Sequence, residues 1–434
     1  MAKRITTGGS GSGDRGGRNK RARVHTPAKG RGKGTSKGSG GSARRPAPIK
    51  VAAVRGAGRA QALGKRGPTP DFAARIARLL SETRKRGVEH AVISHSTDVG
   101  YLTGFLGGDS VLCVGPELGS KGAVIVSDGR YAEELEPQHT LADVVLRTKG
   151  MWETVGDVLK RQRVARFAVQ AEHLSVAEYE TIQRAMASGD GMEAVAISGL
   201  VGALRLVKDE AEIELIQTAI RIQEAALLAV LPTIRAGQTE LEIAANLEAE
   251  MKKRGSSRCW FDSIVGARAN GSLPHYRPAR TKTAAGAPLL IDWGATFEGY
   301  CGDMTRTFSL GKWSKTMREI YEIVREAQEM SAAALAPGRM AHSIDRIARE
   351  HIEKHGYELP HGLGHGLGMT KEPPYLNPLM ADMELRPGHV VTVEPGIYLP
   401  GIGGVRIEDL YVITETGARN FCRLPKTLEW STLR

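Results

Sequence analysis

Hydrophobic positions first fall into register at Phe72, Ile76, Leu79 and Leu80, the spacing of one buried helix face, and predict a helix over 71–87. Thr69 or Asp71 is placed to cap it. Three short apolar runs follow in HAVISHS, SVLCVG and GAVIVSDGRY, each the length of a buried strand. WETVGDVLKRQ and SVAEYETIQRAM, between later strands, read as helices. This alternation over about 70–200 predicts a compact α/β domain.

From about residue 207 the pattern changes. KDEAEIELIQTAIRIQEAALLAVLPTI is one long helical repeat of apolar positions, and TELEIAANLEAEMKKRG is a second. The second is opened by Thr239 with Glu242 three residues on, a capping box, and closed by Gly255. Strands are expected at 259–265 and 288–310. The order then recurs: a helix over 315–335, another over 342–355 closed by Gly356, and strands around 388–399 and 404–414. A helix pair followed by strands, twice, predicts an internal duplication carried by element order rather than by residue identity.

Composition changes the picture at one place. Residues 1–68 hold 18 of the 60 Lys and Arg but one of the 48 acids, Asp14, a net of +17. The remaining 42 bases and 47 acids leave the rest of the chain at −5, so the basic character belongs to this segment. It is Gly, Ser, Lys and Arg with almost nothing to bury, and is expected to be disordered. It lacks the apolar region of a secretory signal and the amphipathic stripe of a transit peptide. Its charge predicts weak, salt-sensitive binding to nucleic acid or another polyanion. No run of about 18 apolar residues is present, so no membrane span is expected. Cys113, Cys259, Cys301 and Cys422 lie far apart without a CxxC, which argues against a zinc ribbon or disulfide scaffold and for a reducing cytoplasm.

The stretch LLIDWGATFEGYCGDMTRTF, 289–308, places Asp292 and Asp303 in strand-like runs with no basic neighbour. The second half ends likewise, on Glu394 in VVTVEPGIY and Glu408 in GGVRIEDLYVIT. A buried ionised carboxylate is costly unless paired or bound to a metal. PHGLGHGLGM adds His361 and His365 in a glycine-rich segment that lets a ligand approach the backbone. Four carboxylates and an imidazole form a hard, mostly oxygen donor set. It suits two divalent cations of the Mn, Co, Fe or Zn group better than one structural zinc. Singly, each element has a plainer reading: an Asp in DWG or GDM as a turn residue, Glu394 as a strand end, HGLGH as a loop with surface histidines. The helical zinc signature HExxH is absent.

The ordered set resembles the creatinase/aminopeptidase P/prolidase metallopeptidases. Their pattern is Asp, a second Asp eleven residues later, HGxGHxxG, EPG and RxED, matched here by Asp292, Asp303, HGLGHGLG from His361, EPG at Glu394 and RIED at Arg406. FDSIVGARANGSLPHY resembles the segment carrying an active-site histidine, here His275. RLVKDEAEIELIQTAIRI resembles the entry to the catalytic domain, and GYLTGF with VSDGRY resembles the N-terminal domain of the aminopeptidase P and prolidase branch. The resemblance covers about 70–430. It implies a creatinase-like α/β domain over 69–203 and an α+β "pita-bread" catalytic domain with an internal pseudo-twofold over 204–434. It implies Asp292 on one metal, Asp303 and Glu408 bridging both, and His365 and Glu394 completing the second. Manganese is the first expectation, with cobalt, iron or zinc as alternatives.

In that setting a metal-bridging hydroxide attacks the peptide bond, Glu394 takes its proton, and His275 and His361 help the carbonyl oxygen. Arg406 holds a carboxylate in place. One departure stands out: the family carries a second histidine followed by an acid seven and eight positions after the metal histidine. Here the segment is GHGLGMTKEPPYL, with Glu372 at that position or, if the loop is one residue shorter, Lys371. The expected activity is that of an exopeptidase removing an N-terminal residue that precedes proline, or splitting Xaa-Pro dipeptides, as a dimer. The alternative is a catalytically weakened, peptidase-like binding protein anchored through its basic tail.

Overall fold

The computed structural model describes residues 69–187, 191–379 and 383–433. The basic segment 1–68, expected to be disordered, lies outside them. Helix α1 (Phe72–Lys85) opens on Asp71, whose side chain accepts from the Ala74 amide at 2.9 Å. There follow β1 (Ala91–Ile93), α2 (Ser96–Thr103), β2 (Ser110–Val114), β3 (Ala123–Ser127), β4 (Asp143–Leu146), α3 (Met151–Arg161), β5 (Arg166–Gln170), α4 (Val176–Ala187), β6 (Glu193–Ile197) and α5 (Gly202–Arg205). The six strands form one sheet in the order β4-β3-β2-β1-β5-β6. The pairs β1–β2 and β2–β3 are antiparallel and the others parallel. Every residue of β1, β2 and β3 is buried, which is why they read as unbroken apolar runs. Helix α2 went unforeseen because Asp98 through Thr103 are all buried; consecutive buried residues show no apolar stripe.

The second part opens with α6 (Glu210–Val230) and α7 (Glu240–Lys253). Both start on complete capping boxes, Asp209 with Glu212 and Thr239 with Glu242. By length and composition α6 could cross a membrane, but most of its apolar window is buried inside the fold. The strands are β7 (Arg258–Cys259), β8 (Ile264–Ala267), β9 (Pro288–Trp293), β10 (Ala295–Phe297), β11 (Tyr300–Cys301) and β12 (Met304–Leu310). The order then repeats with α8 (Lys315–Ala333) and α9 (Ala341–Lys354). Their strands are β13 (Gly364–Leu367), β14 (Lys371–Leu376), β15 (Val390–Val393), β16 (Gly396–Leu399), β17 (Gly403–Arg406), β18 (Asp409–Ile413), β19 (Ala418–Asn420) and β20 (Thr432–Leu433).

Each half is thus a helix pair on an antiparallel sheet, β12-β9-β8 extended by β20 and β14-β13-β15-β18-β19. The strand regions expected at 259–265, 288–310 and 388–399 each hold more than one strand. Trp293 pairs with Met304 and Val393 with Asp409, so both long runs turn at their acidic ends. The glycine-rich segment is itself a strand. A Cβ on Gly364 would collide with the Thr392 carbonyl, and one on Gly366 with the carbonyls of Glu372 and Pro373. Those glycines let β13 lie close between β14 and β15. Arg75, 1% exposed, ties α1 to the start of α6 through Asp209 at 2.9 Å and Glu212 at 3.1 Å.

Candidate active site

The strand ends carry the acids to one place. Asp292 lies in β9, and Asp303 immediately precedes β12. Glu394 follows β15 and, one step beyond the Val393–Asp409 pair, faces Glu408 just before β18. The halves are joined there, since the Glu408 amide donates to the Thr305 carbonyl at 3.1 Å. Ligand atoms of Asp303, His365 and Glu408 lie within 4.8 Å of one another, all three residues buried. His365 Nε2 is 3.7 Å from Asp303 Oδ2 and 3.5 Å from Glu394 Oε1. Asp292, Asp303, His365, Glu394 and Glu408 are therefore brought together.

The electrostatics of this group identify what it needs. Burial lifts all four carboxyls above their ordinary range. Asp303 and Glu408 are raised further by their acidic neighbours, and Arg406 partly offsets the rise at Asp292. Glu394 is pushed up to about 7, again chiefly by burial. Such a set ionises together only when positive charge is supplied. His365 makes the same point by geometry. Its Nδ1 is 3.1 Å from the Gly366 carbonyl and must donate to it. Burial lowers its pKa to about 3, so the ring is neutral and Nε2 carries only a lone pair. That lone pair faces carboxylate oxygens, acceptor against acceptor. Oδ1 of Asp292 has no hydrogen-bond partner among the described residues. A cation among them satisfies every one of these atoms, so the residues present fit divalent metal ions.

A pH dependence follows. A carboxyl whose folded-state pKa is raised holds its proton in the folded state after the unfolded chain has released it. The chelator-treated protein should therefore lose stability as pH rises from about 4, the unfolded carboxyl value, through about 7, where Glu394 ionises. Metal loading should remove that slope. Thermal midpoints of chelated and manganese-loaded protein between pH 5 and 8 test this; parallel profiles would contradict it.

Around the acids runs a hydrogen-bonded frame. Arg406, at the end of β17, donates from Nη2 to Asp292 Oδ2 at 2.6 Å, from Nη1 to the Tyr398 hydroxyl at 2.8 Å and the Pro274 carbonyl at 3.3 Å, and from Nε to Thr305 Oγ1 at 3.1 Å. Thr305 in turn donates to Glu408 Oε2 at 2.7 Å. Arg406 thus grips Asp292, in a different sheet, and reaches Glu408 only through a threonine. Thr392 accepts from the His365 amide at 3.0 Å. Asp345 and Arg349 of α9 anchor the approach to β13: the Leu363 amide donates to Asp345 at 2.9 Å, and Arg349 to the His361 carbonyl at 3.0 Å.

The two further histidines differ sharply. His361 Nδ1 donates to the Gly362 carbonyl at 2.8 Å, and burial lowers its pKa to about 4, leaving Nε2 an acceptor. The Tyr398 hydroxyl, 2.9 Å away and already accepting from Arg406, supplies the proton for that bond. Both nitrogens of His361 are spent inside the protein, in a chain from His361 through Tyr398 and Arg406 to Asp292. His275 is exposed, its ring has no hydrogen-bond partner among the described residues, and its charge is felt by Asp292 and His361. Thr305 and Thr392 went unnoticed in the sequence, although each stands two residues from an acid, the spacing of one strand face. Tyr398 carried no such signal; only the pairing of Gly396 with Arg406 and Tyr398 with Gly404 brings it in.

The comparisons with known proteins agree with this architecture. Residues 214–415 match metallopeptidase family M24, and 75–207 match the creatinase/prolidase N-terminal domain. A Xaa-Pro dipeptidase of Pyrococcus furiosus is 32% identical over 358 residues, 81% of this chain and 98% of that protein. The solved Xaa-Pro dipeptidase from Bacillus anthracis is 32% identical with a TM-score of 0.78, covering 82% of this chain and 99% of that one. The X-Pro aminopeptidase from Thermotoga maritima is 33% identical with a TM-score of 0.74, covering 81% and 99%. Two halves of helix pair and antiparallel sheet, preceded by a mixed α/β domain, are therefore the pita-bread fold behind a creatinase-type domain, and the chain belongs to metallopeptidase family M24.

Proposed function

We propose that this chain is a dinuclear metal-dependent exopeptidase that hydrolyses the bond between an N-terminal residue and proline, as a Xaa-Pro dipeptidase or aminopeptidase. The observation that carries the reading is the bare Nε2 of His365 set against the carboxylates of Asp303 and Glu394. Asp292, Asp303, His365, Glu394 and Glu408 would hold two divalent cations, manganese before cobalt, iron or zinc. When bound, the ions neutralise the four carboxylates and acidify a water so that hydroxide is available near neutral pH.

The chain's own groups do the rest. Glu394, at 19% side-chain exposure against 6% for Asp303, is the more accessible of these two carboxylates and accepts the proton of the attacking water. His275, unpartnered and exposed, donates a hydrogen bond to the oxygen of the scissile carbonyl. Arg406, held by Tyr398 and Thr305, keeps Asp292 oriented. His361 acts through Tyr398 rather than on substrate. The proposed partners are short peptides with proline second, a second copy of the chain and, for the basic segment 1–68, a polyanion. Cys113, Cys259, Cys301 and Cys422 are free thiols, in keeping with the cytoplasmic setting proposed.

Elemental analysis after manganese loading, with amino-acid release from Xaa-Pro and Xaa-Pro-Yaa peptides, tests this. About two ions per chain and release of the N-terminal residue are expected. Fewer than about one ion, or no release from either peptide class, would overturn it.

A further inference from the structure

Lys371 begins β14 and pairs with Leu367, two residues beyond His365 on β13. It is exposed, and no ion pair or side-chain hydrogen bond holds its ammonium among the described residues. Its charge nevertheless reaches the site: it lowers the pKa of His365 and opposes the rise at Asp303 and Glu394. The adjacent Glu372 does not neutralise it. Successive strand residues point to opposite faces, and Glu372 is buried on the other one. There its Oε1 is 2.5 Å from Lys208 Nζ and its Oε2 2.9 Å from an Arg205 nitrogen. Arg205 in turn reaches Asp98 at 2.8 Å. Glu372 thus spends both carboxylate oxygens on buried cations, Lys208 and Arg205. It anchors the strand and leaves Lys371 on the opposite face, that of its partner Leu367.

The charge at the site follows. Two divalent cations cancel Asp292, Asp303, Glu394 and Glu408, leaving Arg406 and Lys371 in excess. Arg406 is buried with its donors engaged. Among the described residues Lys371 is a cation beside the metal-binding group with no ion pair of its own, and it complements an anion carried by the substrate. In a peptide whose scissile bond precedes proline, the nearest fixed anion is the carboxylate of that proline when the peptide ends there. We propose that Lys371 is a specificity residue that grips the substrate's terminal carboxylate and biases the enzyme toward Xaa-Pro dipeptides over longer or amidated peptides. This rests on the Xaa-Pro reading above. A lysine suits the task because its ammonium is a compact charge on a flexible stem that adapts to one carboxylate.

The test compares a dipeptide such as Met-Pro with Met-Pro-amide on manganese-loaded wild type, Lys371→Met and Lys371→Arg. Wild type should favour the free acid by at least about tenfold in kcat/KM. Lys371→Met should lose most of that preference, chiefly through KM and with the amide little changed, and Lys371→Arg should retain part of it. Calorimetric binding of the two peptides reads the same preference without turnover. No cleavage of any Xaa-Pro peptide would overturn the proposed activity. Equal binding of acid and amide by wild type, or an undiminished preference in Lys371→Met, would overturn the role of Lys371.

Discussion

Asp303→Asn should abolish measurable hydrolysis and strip metal from the protein, with bound manganese falling from about two ions per chain to one or fewer. Asp303 is 4% exposed, and Asp292, Glu394 and Glu408 all interact with its charge. Its Oδ2 faces the lone pair on His365. An amide keeps the shape but supplies no charge, so the site keeps only three of the four negative charges that two divalent cations need. Changing an outer partner of a metal ligand already costs about 10–100-fold; loss of a ligand proposed to bridge both ions should exceed that. The same substitution removes a buried like charge, so chelator-treated Asp303→Asn should melt above chelator-treated wild type at pH 8, where repulsion among the carboxylates is greatest. A fully active variant with full metal content would sink the dinuclear reading, and the melting comparison separates loss of metal from loss of fold.

His275→Ala should lower kcat/KM by about 10²–10³, the loss seen when one hydrogen-bond donor to a developing oxyanion is removed, while metal content stays at the wild-type level. The reason is the contrast between two histidines that look alike in the sequence. His361 has both nitrogens committed, to the Gly362 carbonyl and the Tyr398 hydroxyl. His275 has neither committed, and the Pro274 carbonyl before it is tethered by Arg406 at 3.3 Å, which fixes the backbone while leaving the ring free. His361→Ala should act differently, by loosening Tyr398, Arg406 and then Asp292, and so should weaken metal binding. Metal titrations of the two variants beside steady-state kinetics distinguish them. An unimpaired His275→Ala enzyme would mean that the hydrogen bond to the developing oxyanion comes from elsewhere.

Much of this site was legible without coordinates, for physical reasons. Carboxylates in apolar strand runs announce burial that something must neutralise, and the duplicated order of helix pair and strands announces two halves contributing alike. Gly364 and Gly366 signalled close approach, although the neighbour is strand backbone rather than a ligand. The amphipathic helices were readable because half of each faces water. Helix α2, buried from Asp98 to Thr103, left no trace in the periodicity.

What the sequence determined by itself was composition along the chain: which residue types are donors, which runs must be buried, where caps and turns fall. Those depend on neighbours a few residues apart. Tertiary structure alone decided which donors meet and what remains free. It set Arg406 on Asp292, 114 residues away, rather than on the nearby Glu408, and turned Glu372 inward to Arg205 and Lys208, so that Lys371 has no ion pair among the described residues. It also spent His361 on Tyr398 and left His275 open. Hydrogen-bond direction and pairing across strands are properties of atoms brought together by folding, and no local pattern encodes them.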